Sequence, residues 1–454
     1  MLRSIAMARC EHPALCFDVS HHAVEAGYSQ PTLQKRLAAA QPSARAPSNT
    51  KSGAGVKGGA DVQSPLDSTF PAPLCLPGDE LAWDPKYPPQ SLRSWTGGKH
   101  RNAVTGQKRT VYVLPPPKID ESVAFVKSWA QPAGVEGRLT APAIEEVLAY
   151  LQAFYHGLEV ELMRFSDLRF NTWDKRPRNK PGQPRGITAI SLEAGSEAVR
   201  IRARPSRDGI FSGQLNLNDL LDVAMSVLPE DAYALVMLVD QDLYEDEDDD
   251  FCCGRAYGGR RVAVVSTARY HPLLDTRQEV EREHAWPASH CKAYVDHCCN
   301  EGTSTGPRKK RQRKGALSAE DPSRGEGTAM GDAVVAYRSH CTAAADKEMD
   351  ASLSALWLGR VCKTASHELG HCFGIDHCVY YACIMQGTAG LSEDSRQPPY
   401  LCPVDMAKVL KATAVSEREW VEAMLGFCER YQEDGLFVAF AAWLRVRCRQ
   451  LEGA

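Results

Sequence analysis

Histidine, glutamate and cysteine crowd into one short stretch, His367-Glu368-Leu369-Gly370-His371-Cys372-Phe373-Gly374-Ile375-Asp376-His377-Cys378. Leu358, Val361, Cys362 and Ala365 precede it at helical spacing, so the stretch continues a helix. On a helix, His367 and His371 lie one turn apart on one face. Two imidazoles so placed can bind one zinc ion, and Glu368, beside the first, can hold the metal-bound water as general base. Gly374 can take a backbone conformation closed to other residues, which ends the helix and turns the chain. That turn brings His377 back as a third ligand. Three protein ligands leave a fourth position for water, as in a catalytic rather than a closed structural zinc site. The plain alternative is a helix with core histidines. Five fixed residues, three of them histidine, recur by chance in roughly one chain in 10⁵ at average composition, which sets that alternative aside.

The string matches the metzincin signature, in which a Met-turn follows the third histidine. Met385, eight residues after His377, is the Met-turn residue, apolar and polarisable volume packed under the ligands. A second pattern overlaps the first: Cys378 directly after His377, then Cys383, then Cys402-Pro403-Val404-Asp405. Here the sequence resembles the archaemetzincins, zinc metallopeptidases with a cysteine directly after the third histidine and a four-cysteine structural zinc site. Tyr87 to Val113 and Leu228 to Val264 resemble the eukaryotic branch, and the likeness spans about residues 83 to 430 apart from an insertion. The resemblance implies catalytic zinc at His367, His371 and His377 with Glu368 as base, and a second, structural zinc at Cys378, Cys383 and Cys402. Asp405 stands where the family has its last cysteine. A carboxylate can ligate zinc, but as a harder ligand it makes a weaker site. Cys372 or Cys428 can substitute if the fold brings either near. The alternative is a reduced, buried cysteine cluster without metal.

These side chains need a scaffold. The chain has 454 residues, room for up to three domains. Thr110–Leu114, Val160–Met163, Ala234–Val239 and Val262–Val265 read as strands. Val123 to Trp129, Ile144 to Leu151 and Leu220 to Leu228, the last capped by Asn218, read as helices. Strands alternating with helices give an α/β fold with a largely parallel, mixed sheet. With the resemblance, this becomes a metzincin-like fold: an upper subdomain at 83–373, and a small lower subdomain at 374–454 with the Met-turn, the cysteine site and C-terminal helices. Residues 1–82, rich in Ala, Ser, Gly and Pro over 41 to 73, are expected to be disordered. So is an insertion at 300–331 carrying the basic run 308–314.

Composition narrows the function. With 53 basic and 57 acidic residues the net charge is −4, which argues against a strongly basic nucleic-acid binder. The run 308–314 is read first as a solvated loop, and alternatively as a nuclear localisation signal or nucleic-acid patch. No apolar stretch reaches membrane-spanning length. Sixteen cysteines, many near histidines, point to metal more than to disulfides. With no secretory signal, they point to a reducing compartment, cytosol or nucleus. The acidic run Glu245–Asp250 is a solvated loop or, if it borders the cleft, a feature that favours basic peptides. Cys252-Cys253 and Cys298-Cys299 receive no role, and His284, His290 and His297 read as ordinary histidines. Cys75 can in principle reach the zinc as an inhibitory ligand. The expected function is hydrolysis of a peptide bond in a peptide or protein substrate, endo- or aminopeptidase action being left open. The alternative is a zinc-stabilised interaction protein with a vestigial or occluded site.

Overall fold

The computed structural model describes residues 14–42, 66–99, 101–135, 139–164, 167–173, 188–301, 327–344 and 349–453. Its strands are β1 (Thr110–Leu114), β2 (Lys118–Ile119), β3 (Glu159–Leu162), β4 (Arg169–Asn171), β5 (Ala189–Ala194), β6 (Glu197–Arg204), β7 (Gln214–Asn216), β8 (Ala232–Val239), β9 (Asp242–Tyr244), β10 (Gly254–Tyr257) and β11 (Val262–Ser266). Five form a sheet in the order β10-β11-β8-β1-β3. Within it β3, β1, β8 and β11 are parallel and β10 runs antiparallel at the edge. The expected strands and the mixed, largely parallel sheet are therefore present.

β8 is buried along its whole length, as a central strand covered on both faces must be. Its alternation divides two cores. Ala234, Val236 and Leu238 face one side with Val111, Val113, Ala263 and Val265, and Leu235, Met237 and Val239 face the other with Val262 and Val264. On the first side lies the helix Met349–Cys372, which presents Leu358, Val361, Cys362, Ala365 and Leu369 to the sheet at helical spacing. Arg360, buried on this helix, is held by both carboxylate oxygens of Asp275 at 2.7 and 2.9 Å. On the second side the helix Leu217–Ser226 packs between this sheet and a six-stranded sheet in the order β2-β4-β5-β6-β7-β9. That helix is capped by Asn216, whose side chain accepts from the Asp219 N–H at 3.2 Å. The expected cap, Asn218, instead accepts from the Tyr257 hydroxyl at 2.7 Å.

The tail folds into helices Pro403–Thr413, Glu417–Cys428 and Gly435–Glu452. Trp420 and Trp443 tie the last two down, donating to Phe154 O at 2.7 Å and Thr69 O at 3.1 Å.

The head differs from expectation. Residues 14–42 and 66–82 are folded, with helices His21–Ala26 and Leu33–Ala39 and buried Phe17, Phe70, Leu74, Leu76 and Leu81. Composition misjudges this segment because it builds no core of its own. It docks a few apolar side chains on a core that already exists, and their burial offsets the ordering entropy. Phe70 meets Tyr381, Tyr400 and Trp443 edge-on. Residues 43–65 lie outside the described residues, as do 302–326 with the basic run 308–314. The flanks of the expected insertion are helical: Lys292–Glu301 reaches into it and Ala329–Ala344 begins inside it.

Phe70→Ala is expected to lower stability by about 3 to 5 kcal/mol in urea unfolding, the usual cost of removing a fully buried aromatic ring; a change below about 0.5 kcal/mol would mean the head does not dock. His290 gives a pH signature to the same docking. Its Nε2–H donates to Ala72 O at 3.4 Å, and burial pulls the imidazole down to about 4. The unfolded chain takes up the proton near 6.5, so the stability contributed is complete above that pH and is lost as pH falls from 6.5 towards 4. Across that window the wild type is expected to lose on the order of 3 kcal/mol more than His290→Gln. Parallel curves would show that His290 titrates normally.

Candidate metal centre and cleft

The helix Met349–Cys372 ends where the sequence requires it to end. Gly374 sits at φ +75°, its N–H donates to His371 O at 2.9 Å, and Ile375 N–H reaches back to Gly370 O at 3.1 Å. The reversed chain brings His377 to the two helical histidines, and one ring nitrogen from each of the three lies within 4.8 Å of the others. His367 Nδ1–H donates to Ile384 O at 2.6 Å, His371 Nδ1–H to Ile375 O at 2.7 Å, and His377 Nδ1–H to Glu80 Oε1 at 2.9 Å. With every Nδ1 occupied as donor, the Nε2 atoms carry lone pairs. Those of His367 and His371 are 3.0 Å apart. Two lone pairs at that distance repel unless a cation lies between them, so the donor set fits a metal ion and fits little else. Burial and the neighbouring imidazoles drive His367 well down, and burial lowers His371 to about 4, which keeps both rings in the neutral state that ligation needs. Burial also works on His377, but the Glu80 hydrogen bond and charge outweigh it and raise that ring.

Met385 lies under the centre. It is buried, its carbonyl accepts from Cys378 N–H at 2.7 Å, and a Cβ on Gly370 would come within 2.4 Å of its sulfur. The glycine of the motif is thus the residue that lets the helix rest on the Met-turn. Ile384, next to Met385, supplies the carbonyl that holds His367.

Glu368 is buried and its carboxyl is raised to about 7 by that burial, with His377, Arg255 and the Ala256 N–H pulling the other way. A dication beside it would draw it down further. It faces a cleft of about 1290 Å³ whose lining includes all three histidines, β10 residues Gly254, Arg255 and Ala256, and Glu245 and Asp250 of the acidic run. The acidic loop therefore borders the cleft. Part of its backbone is tied down, since Arg204 and Arg207 donate to carbonyls of residues 246–249.

The cysteine cluster is brought together as well. Cys378, Cys383, Cys402 and Asp405 are all buried and each offers a ligand atom within 4.8 Å of the rest. Asp405 Oδ2 accepts from the Cys383 and Cys402 thiols at 3.3 and 3.4 Å, while Oδ1 accepts from Lys408 Nζ at 2.7 Å. Burial pushes the Cys383 and Cys402 thiols up, whereas the polar groups around Cys378 outweigh its burial and hold it down. A divalent ion would favour all three thiols as thiolates, with Lys408 offsetting the aspartate. The residues fit a zinc ion. Among the described residues Cys372 and Cys428 do not join this group but lie in the main core. Cys75 joins neither group and packs with Ala23, Tyr28, Leu81 and Val379.

Three polar residues around these sites escaped the sequence reading. Glu80 sits in the head that composition writes off. Gln90 donates to Gly374 O at 3.0 Å and Asp376 Oδ2 at 2.8 Å, and accepts from Lys408 at 2.8 Å. Lys408 follows Asp405 by three on a helix, a spacing that by itself signals a pair.

Residues 328–411 match the model of Peptidase family M54. The human protein Archaemetzincin-2 is 23% identical over 372 residues, 82% of this chain and 78% of its own length. Human Archaemetzincin-1 is 27% identical over 237 residues, 52% of this chain and 36% of its own length. Among solved structures, the archaemetzincin of Methanopyrus kandleri aligns at 15% identity over 68% of this chain and 96% of that one, with a TM-score of 0.30.

Removing the Glu80 carboxylate leaves the His377 ring free to turn. Glu80→Ala is expected to weaken zinc binding at the three histidines by about 10- to 100-fold, the usual effect of losing a hydrogen-bonding partner behind a ligand, read by competition with a chromogenic chelator. Unchanged affinity would mean that Glu80 does not orient His377.

Proposed function

We propose, from the premise that the chain is a member of the archaemetzincin family, that it is a zinc-dependent peptidase. The observation that carries this reading is the convergence of three imidazole nitrogens beside Glu368 in an open cleft. His367, His371 and His377 would hold the catalytic zinc, and Cys378, Cys383, Cys402 and Asp405 a second, structural one. Bound at the histidines, zinc supplies Lewis acidity, which makes a water more acidic and polarises a carbonyl.

The chain's own residues do the rest. Glu368 accepts the proton of the attacking water and passes it to the amine that leaves. β10 is the edge of its sheet, so its outward N–H and C=O groups can receive an extended peptide as one more strand. Asp250 at the rim would favour basic residues nearby. The compartment we propose is a reducing one, cytosol or nucleus, in keeping with fifteen free cysteines among the described residues. Among those residues no helix is long and apolar enough to cross a membrane.

Glu368→Gln keeps size and hydrogen bonding but cannot take the proton. It is expected to cut peptide turnover by about 10² to 10⁴-fold with zinc content unchanged, as measured by fluorogenic peptide hydrolysis alongside elemental analysis. Near-normal turnover in the zinc-loaded variant would rule out Glu368 as the base.

A further inference from the structure

Basic as well as acidic side chains line the cleft along β10. Near the start of the strand, Arg255 is paired with Glu245. Beyond its far end the chain reaches Gly258, where a Cβ would strike the His371 carbonyl at 2.4 Å. Asn102, next to Arg101, donates to the carbonyls of Gly258 and Gly259 at 3.5 and 3.3 Å. Arg101 and Lys99 lie in the cleft wall.

Arg101 is held there. Its guanidinium stacks over the Trp95 ring with Cζ 4.3 Å from the centroid, and its stem lies 3.5 to 3.6 Å from where a Cβ on Gly374 would sit. Trp95 is itself fixed, buried and donating to Phe373 O at 2.9 Å. Stacking uses the face of a guanidinium and leaves the in-plane N–H fork unspent. Arg269, Arg360 and Arg396, by contrast, direct that fork at carboxylates, those of Asp242 and Asp208, Asp275, and Asp79. Among the described residues Arg101 and Lys99 have no such ion pair. A fork of donors on a residue that lines the cleft beside the third histidine's turn matches a planar carboxylate, the anionic group that a peptide offers.

We infer that Arg101, assisted by Lys99, is a specificity subsite for a carboxylate of the bound peptide, either an Asp or Glu side chain or the C-terminal carboxylate. This rests on the peptidase reading, and it assigns to one end of the cleft a preference opposite to that of the acidic rim.

The test uses the zinc-loaded full-length chain and fluorogenic peptides of one sequence. Glu is exchanged for Gln at each position on both sides of the scissile bond, and a second pair differs only in a free or amidated C-terminus. The wild type is expected to prefer Glu over Gln at one position, or the acid over the amide, by about tenfold in kcat/KM, the worth of one charge-assisted hydrogen-bond pair. The position identifies the source of the carboxylate. In Arg101→Gln that ratio should fall to near one, and in Arg101→Glu it should invert, with Lys favoured at the same position. A purely structural role would lower turnover of all peptides together and leave the ratios alone, which would overturn the inference. So would equal rates for every pair in the wild type. If no peptide is cleaved, the peptidase reading fails separately. The subsite is then judged from binding of the same pairs by fluorescence anisotropy, where equal affinities reject it and an Arg101-dependent difference supports it.

Discussion

Three imidazole lone pairs aimed at one point are unfavourable without a cation, and the rest of the molecule is arranged to impose that condition. Each ring is locked by its other nitrogen: to the carbonyls of Ile384 and Ile375 for His367 and His371, and to the Glu80 carboxylate for His377. The locks come from three separate segments, the Met-turn, the turn after Gly374, and the head. The geometry therefore exists only when all three are docked on the helix Met349–Cys372. Folding of the core creates a need for a cation, and binding of the cation returns that energy as stability.

The second cluster is joined to the first through polar contacts. Lys408 bridges Asp405 to Gln90, and Gln90 holds the backbone of Gly374 and the side chain of Asp376, next to His377. An aspartate in a thiolate set gives up a soft ligand but offers a second oxygen, and that oxygen is what reaches Lys408. The charge of the cysteine site is thereby balanced from the side of the cleft, and the turn carrying the third histidine rests on the same network. The sheet supplies the other wall. Gly258 lets the turn beyond β10 lie against the His371 carbonyl, where a side chain would push it off.

Much of this was legible in the sequence because its determinants are local. Helical spacing and Gly374 are enough to place His367, His371 and His377 together, and the apolar run of β8 reads as a central strand without further help. The cysteine set follows from resemblance to a family, and the fold brings those four side chains to one place. Part of what stayed hidden depends on distance in the chain. Glu80 meets His377 across 297 positions, and nothing around Glu80 marks it. The head looked disordered because composition weighs a segment by the core it can make, not by the core it can join. The hairpin of β5 and β6 was missed although Val199, Ile201 and Ala203 alternate and Gly195 turns at φ +64°; charged residues at every second position mask it. The cap on Leu217–Ser226 fell two residues early for a simpler reason, since Asn216 and Asn218 are equally good caps and only the strand before them decides.

The most direct test of the account is the zinc content of protein purified without added metal, measured for the wild type, His371→Ala and Cys402→Ala. About two zinc ions per chain are expected, falling to about one in each variant, because the two donor sets are separate and each fits one ion. A single zinc that survives His371→Ala would contradict it: the three imidazoles would then face one another without the cation on which the catalytic reading depends.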